Sequence, residues 1–343
     1  MNYYEEIIGR NQTNFISMFN QKWQEEISSH KLPYSQASQI MSGNRLRPII
    51  LAWGYYANIS HIDHEFILDF AICIELIHKA SILLDDLIDN DNARHGLSTF
   101  HIEYSKSEAV LYAIFLIDRS LEIIYKIDSI HNTHYTSVLI SVINNMAKGG
   151  IKEICSTKFF SMQDVTDIIN LETTSLIENS YILGYQLSST PMNKMPEEIY
   201  NIAHLCGYCF QVLNDIEPFS SPEINKEYKG SVNFDVERKR KNIVISYLYG
   251  ACTKNERMKL ESTTDFLYIH SLISKHKIIN LIMEDIRFKM NYIKTNLTLF
   301  KKANSSYYFD FSHFLDDMFN ICFHKCGLAF EDNFFGDGQK RAD

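Results

Sequence analysis

Apolar residues along this chain recur at the three- and four-residue spacing of helices, in long uninterrupted runs. The clearest is FILDFAICIELIHKASILLDDLID, residues 66–89. It holds no Gly or Pro and is apolar nearly all round, as an inner helix of a large bundle would be. The same period predicts helices over 109–127, 136–154, 162–187, 197–217, 237–250, 256–262, 264–296 and 307–330. Gly and Pro mark the gaps: Gly43 and Pro48 near the start, Pro191 and Pro196 in SSTPMNKMP, and Pro218 and Pro222 in EPFSSPE. With 13 Gly and 6 Pro in 343 residues, the punctuation is too thin for an all-β or loop-rich chain. No repeat, low-complexity linker or shift in composition divides the sequence. One all-α domain over 1–343 is predicted, with loose ends at 1–10 and 332–343.

Composition narrows the function more than the fold. A chain of this length with 45% hydrophobic residues can bury a large core. The net charge of −9 excludes a general nucleic-acid binder, which needs a basic surface to neutralise phosphates, so any phosphate site must be local. No apolar run reaches the roughly 18 to 20 residues of a membrane span, and MNYYEEIIGRNQ lacks a signal-peptide pattern, so a soluble cytoplasmic protein is expected. The 7 Cys suit reduced thiols. Cys206 and Cys209 form a C-x-x-C, and Cys322, His324 and Cys326 a C-x-H-x-C. Neither has a second pair at zinc-finger spacing and both lie in apolar surroundings, so they read as buried small hydrophobes.

The chemistry concentrates in LLDDLIDNDNARHG, residues 83–96, directly behind the apolar run. Asp85 and Asp89 share one helical face a turn apart, with Asp86 beside them. Carboxylates stacked in this way repel unless a cation sits between them. Oxygen-only ligands suit Mg²⁺, which keeps several waters and is usually completed by substrate phosphates. A solvated helix end with surplus Asp would explain a bare DDxxD equally well. The residues around it favour the metal.

In that wider context the sequence resembles the trans-isoprenyl diphosphate synthases, the class I prenyltransferase family, from about residue 40 to 250. Ser42-Gly43-Asn44-Arg45-Leu46-Arg47-Pro48 is similar to the family's GGKRLRP. Glu75-Leu76-Ile77-His78-Lys79-Ala80-Ser81, then Asp85-Asp86-Leu87-Ile88-Asp89 and Arg94-His95-Gly96, are similar to E-x-I-H-x-A-S, DDxxD and RRG. Phe210-Gln211-Val212-Leu213-Asn214-Asp215 is similar to FQIxDD, the start of a second aspartate-rich motif. The resemblance implies a bundle of long antiparallel helices around a deep cavity, commonly a homodimer. It also implies three Mg²⁺ ions between the two acidic motifs, where they would promote departure of the diphosphate from an allylic substrate. Asp85 and Asp89 are then metal ligands, together with Asn214, Asp215 and Glu217, and Asp86 orients waters or a neighbour. Arg94 is implied to hold the allylic diphosphate. Arg47 and His78 belong to the second site, that of isopentenyl diphosphate, and Gln211 is placed among the substrate contacts. Ala80, five residues before Asp85, and Ser81 are small where a bulky aromatic would stop the growing tail, so a tail of 15 carbons or more is expected.

Several positions depart from the pattern. Asn44 stands for the Lys of GGKR and His95 for the second Arg of RRG, which removes two cations from the isopentenyl diphosphate site. Glu172 stands for the Lys of a KT motif, and Glu153 follows Gly149-Gly150 where GQxxD has an acid. The second DDxxD reads Asn214-Asp215-Ile216-Glu217-Pro218, with Glu217 one turn on from Asn214. An Asn-led motif also resembles that of class I terpene cyclases, although Pro218 and Pro222 fall where those need a hydroxyl and a glutamate. Glu223 is one residue out of register. Within VERKRKN, Arg240 takes the place of the Lys of GKxT, and Lys229 is a further candidate for the diphosphate.

Three functions remain open on the sequence. One is a Mg-dependent prenyltransferase that joins an allylic isoprenyl diphosphate to isopentenyl diphosphate or another acceptor; some bacterial relatives prenylate a peptide tryptophan. The second is a terpene synthase on the same scaffold. The third is a non-catalytic regulatory subunit, which would have no need of Asp85, Asp89, Arg94 and Asp215 together.

Overall fold

The structure, a computed structural model, describes residues 10–31, 33–57, 64–94, 97–155, 161–188, 195–219, 242–303, 305–331 and 334–336. Three helices precede the long apolar segment: α1 (Arg10–Ser29), α2 (Tyr34–Met41) and α3 (Leu46–Tyr56). The apolar run itself forms α4 (His64–Ile88). A two-residue hairpin, β1 (Ala93–Arg94) against β2 (Leu97–Ser98), leads into a single turn, α5 (Phe100–Glu103). Then follow α6 (Lys106–His131), α7 (Tyr135–Cys155), α8 (Met162–Ile169), α9 (Ser175–Ser188) and α10 (Glu197–Ile216). The chain ends with α11 (Ile243–Ala251), α12 (Lys254–Ser262), α13 (Phe266–Lys275), α14 (Ile278–Ala303) and α15 (Ser305–Lys325).

The predicted helix over 264–296 is broken in two. Lys277 adopts a left-handed φ of 51°, and the amides of His276 and Lys277 bond back to Leu272 and Ser274, ending α13 without any Gly or Pro. The segment predicted over 307–330 stops at Lys325. Gly327 is left-handed (φ 67°), its amide bonds His324 O, and Leu328 N bonds Phe323 O: a Schellman cap. The segment over 162–187 stays helical but carries a π-helical turn at Asn170–Thr174. The first part of the predicted 237–250 helix lies outside the described residues, as do 1–9 and 337–343 of the expected loose ends. Within the latter end, Phe335 is buried against Phe319 and its amide bonds Asp316 Oδ1 at 2.9 Å.

The core is continuous across the helices. At α3 nearly every residue is buried, and α3 lies against α9 at backbone distance. A Cβ on Gly54 would fall 2.1 Å from Tyr181 O, and one on Gly184 2.0 Å from Leu51 O, so two glycines permit the approach. Trp53, Tyr181, Tyr307, Phe311 and Phe314 stack at the centre, and the Tyr181 and Tyr307 hydroxyls bond at 2.7 Å. Beside them is a small apolar cavity of about 20 Å³, lined among others by Ile50, Tyr181, Cys206, Phe311 and Met318. Ala80 does not line it.

Candidate active site

The end of α4 places the acidic motif. Asn90 takes a left-handed φ of 53°, its amide bonds Leu87 O, and Asp91 N bonds Asp86 O, so an Asn-centred Schellman turn stops the helix just after Asp89. The chain doubles back through Ala93–Arg94, and Thr99 ties the return with its amide on Asn92 O and its hydroxyl on Asp91 O. Arg94 therefore arrives over the aspartates. Its Nε bonds Asp86 Oδ1 at 2.8 Å, and its Nη2 lies 2.7 Å from the same oxygen and 3.3 Å from Asp85 Oδ2.

The three aspartates are not equivalent. Asp86 is buried, at 3% exposure. Burial raises its carboxyl above the usual range against the pull of Arg94. The Asp85 side chain is 58% exposed, and Asp89 is half-buried. A charge-paired inner aspartate thus carries Arg94, and an accessible carboxylate stands one helical turn from Asp89. This oxygen donor set fits a hard divalent cation.

A second cluster lies where α3 begins against α4. Arg47 donates to His78 Nε2 at 2.8 Å. Because the guanidinium is always protonated, Nε2 must be the acceptor and the ring hydrogen sits on Nδ1, which is buried without an acceptor. Burial, then the charges of Arg47, Lys79, Arg94 and Arg45, hold the imidazole well below its ordinary range, so it is neutral. Ser81 Oγ bonds His78 O at 2.8 Å and Ala80 is buried in the core, so both serve packing in this state.

Arg45, inside GNRLRP, has a structural task. It is buried with its Nη1 on Glu75 Oε1 at 2.9 Å and on Ser42 O at 2.8 Å, and its guanidinium stands over the Phe19 and Trp23 rings. Glu75 and Lys79, a turn apart on α4, stand in the E-x-I-H-x-A-S stretch without a role of their own in the sequence. Their i, i+4 spacing on a buried helix was the available signal.

The second motif is arranged differently from the first. Asp215 Oδ1 accepts from Gln211 Nε2 at 2.8 Å, Oδ2 accepts from Ile243 N at 3.0 Å, and the Asp215 carbonyl accepts from Asn242 Nδ2 at 2.9 Å. Gln211 in turn accepts from Thr173 Oγ1 at 2.9 Å. Asp215 thereby also staples α10 to the start of α11. Asn214 and Glu217 are half-buried beside it. The π-turn lays Glu172 on Gly149 and Gly150; a Cβ on Gly149 would fall 2.4 Å from Glu172 Cγ. The two positions aligned with KT and GQxxD are thereby brought together. His95, Glu223, Lys229 and Arg240 lie outside the described residues.

The buried cysteines are held as thiols. Burial pushes the Cys206 and Cys322 thiols up to about 12. Cys252, Glu256 and His276 bring donor atoms within 4.8 Å of one another. Glu256 is already matched there by Lys275 at 2.6 Å and by its capping box with Thr253.

An acidic helix end under an arginine, with Arg45, Arg47 and Lys79 clustered behind it, is thus set in an all-helical bundle. The family model described as polyprenyl synthetase matches residues 31–267, and the chain belongs to that family. It is 23% identical over 220 residues to a short chain isoprenyl diphosphate synthase of Methanocaldococcus jannaschii, covering 64% of this chain and 66% of that protein. It is 30% identical over 183 residues to heptaprenyl diphosphate synthase component 2 of Geobacillus stearothermophilus, covering 53% of this chain and 55% of that protein. The chain thus spans two thirds or less of these relatives' length. A polyprenyl synthase from Caulobacter crescentus, solved with calcium and isoprenyl diphosphate, shares the fold. Its TM-score is 0.73 at 17% identity, covering 93% of this chain and 97% of that one. Among the described residues no helix is long and apolar enough to cross a membrane.

Proposed function

We propose that this chain is a Mg²⁺-dependent prenyltransferase that ionises an allylic isoprenyl diphosphate and passes the prenyl group to isopentenyl diphosphate or another acceptor. The observation that carries the reading is the Arg94–Asp86 pair beside Asp85, which puts a diphosphate-binding cation and an accessible carboxylate within one turn of each other. Bound Mg²⁺, three ions by the family resemblance, would neutralise the departing diphosphate as charge develops on it. Asp85 and Asp89 would hold it, with Asn214 and Glu217 as second-motif ligands. Asp215, which also holds Gln211 and the Ile243 amide, would be the least accessible ligand of the set. Arg94 meets the allylic diphosphate while Asp86 keeps it in place. Arg47 and His78 hold the acceptor's diphosphate: the neutral imidazole fixes the guanidinium without cancelling its charge.

An allylic tail of 15 carbons or more and a homodimer belong to the same reading. The exposed Leu111 and Ile114 of α6 and Ile140 and Ile151 of α7 give a second copy an apolar face to cover. The test is to incubate the purified protein with Mg²⁺ and geranyl, farnesyl or geranylgeranyl diphosphate, each with and without isopentenyl diphosphate, and to identify the products. Elongated diphosphates formed only when both are present are expected. Hydrocarbons or alcohols from the allylic substrate alone would instead mean a terpene synthase, and no turnover in any mixture would mean a regulatory subunit.

A further inference from the structure

Position 44 carries no cation, and the structure gives its side chain another use: Asn44 Oδ1 accepts from Leu46 N at 3.3 Å at the start of α3. The space beside it is nevertheless positively charged. Lys79, one residue after His78, extends from α4 under the Ser42–Asn44 loop and donates to the Ser42 carbonyl. Its Nζ lies 2.8 Å from where a Cβ on Gly43 would sit. Gly43, at φ +118°, thus leaves the room that the ammonium fills.

The charge is buried and incompletely matched. Lys79 is only 8% exposed, and an ammonium has three hydrogens to donate. Glu75, the acid facing it, stands 3.8 Å away and already takes Arg45 at 2.9 Å. A lysine meant only to pair Glu75 would sit at hydrogen-bond distance. Burial draws the ammonium down to about 8, against the attraction of Glu75. A cation in that position gains from an arriving anion.

We propose that Lys79 supplies the diphosphate-binding charge that Asn44 does not, so that the acceptor's diphosphate is held by Arg47 from α3 and by Lys79 from α4. This rests on the reading above in which Arg47 and His78 face that diphosphate. It makes Lys79 a binding residue for the acceptor, with no part in holding the allylic substrate, whose arginine is tied to Asp86.

Calorimetric binding of isopentenyl diphosphate to the full chain, with steady-state kinetics for both substrates, tests it. Lys79→Met is expected to weaken isopentenyl diphosphate binding by roughly ten- to a hundredfold, the worth of one charge-assisted contact. The KM for the allylic diphosphate should change less than twofold. Lys79→Gln keeps a donor for the Ser42 carbonyl and loses only the charge, so it should behave as Lys79→Met does. Adding Asn44→Lys to either variant should recover most of the affinity. If Lys79→Gln binds as the wild type does, or both substrates weaken together with a fall in melting temperature, Lys79 is a strut for the loop. Failure of Asn44→Lys to rescue overturns the relocation as well. A wild type that binds no isopentenyl diphosphate overturns the acceptor reading itself, a result distinct from these.

Discussion

Arg94 reaches back across the turn that ends α4 and gives both Nε and Nη2 to one oxygen of the buried Asp86, at 2.8 and 2.7 Å. The inner aspartate of the motif therefore positions an arginine, while the outer Asp85 is left to solvent and metal. Asp86→Ala removes the counter-charge of a guanidinium that is itself 37% exposed. The cost is therefore that of a partly screened pair, about 1–2 kcal/mol. We expect a lower melting temperature and a KM for the allylic diphosphate raised about tenfold through the misplaced arginine. Kinetics on Asp86→Ala and Asp86→Asn decide this; an unchanged KM in both would free Arg94 from any dependence on Asp86.

Asp85→Ala and Asp89→Ala should behave in the opposite way. The Asp85 carboxylate is 58% exposed and raises the cost of ionising Asp86 beside it, so its loss leaves the fold intact or slightly steadier. We expect kcat to fall by roughly a thousandfold or more for each variant, because a metal ligand acts on the charge that develops in the transition state. Chelation of the divalent metal should abolish turnover of the wild type. Unchanged turnover together with an unchanged melting temperature would remove both residues from the metal site.

Much of this was legible in the sequence because the signals were local. The 66–89 run, the DDxxD spacing and the Arg that follows depend on residues within a turn or two of each other, and α4 and its cap reproduce them. The breaks at Lys277 and within Asn170–Thr174 were not legible. No Gly or Pro announces a left-handed Lys or a π-turn. Helix α3 was not legible for a related reason. At α3 nearly every residue is buried, so the polar face that would reveal a helical period is absent. The use of Asp215 as a staple follows from Asn242 and Ile243, 27 and 28 residues further along. Lys79 comes to lie under the Ser42–Asn44 loop only in three dimensions.

Asp316 gives the stability of the bundle a pH dependence. It is buried on α15, and burial pushes its carboxyl up to about 6 from 3.8, although the amides of Phe335 and Gly336 pull the other way. Below about pH 4 the group is protonated folded and unfolded, and costs nothing. Between pH 4 and 6 the unfolded chain ionises first, so stability falls as pH rises. Above pH 6 the folded state carries the whole penalty, on the order of 3 kcal/mol for a shift of about two units. Asp316→Asn keeps Oδ1 for the Phe335 amide and removes the charge. It should raise the melting temperature at pH 7 and leave it nearly unchanged at pH 4. An equal effect at both values would mean that folding does not shift the Asp316 carboxyl.

On the proposed function, we expect Ala80 to set how long a tail the site can take. It lies five residues before Asp85, at 1% exposure, with Ile77 and Leu76 equally buried one turn above it. On the proposed reading the tail runs along this wall. A methyl group at position 80 yields little obstruction to it, whereas a phenyl ring on the same face of α4 projects into its path. Overpacking a closed core costs about 1–3 kcal/mol, so Ala80→Phe should lower the melting temperature and still fold. Its products, identified by mass spectrometry, should be shorter than those of the wild type by about one isoprene unit. A soluble Ala80→Phe that keeps the wild-type product length would place the tail elsewhere in the bundle and leave Ala80 as a site of close helix packing alone.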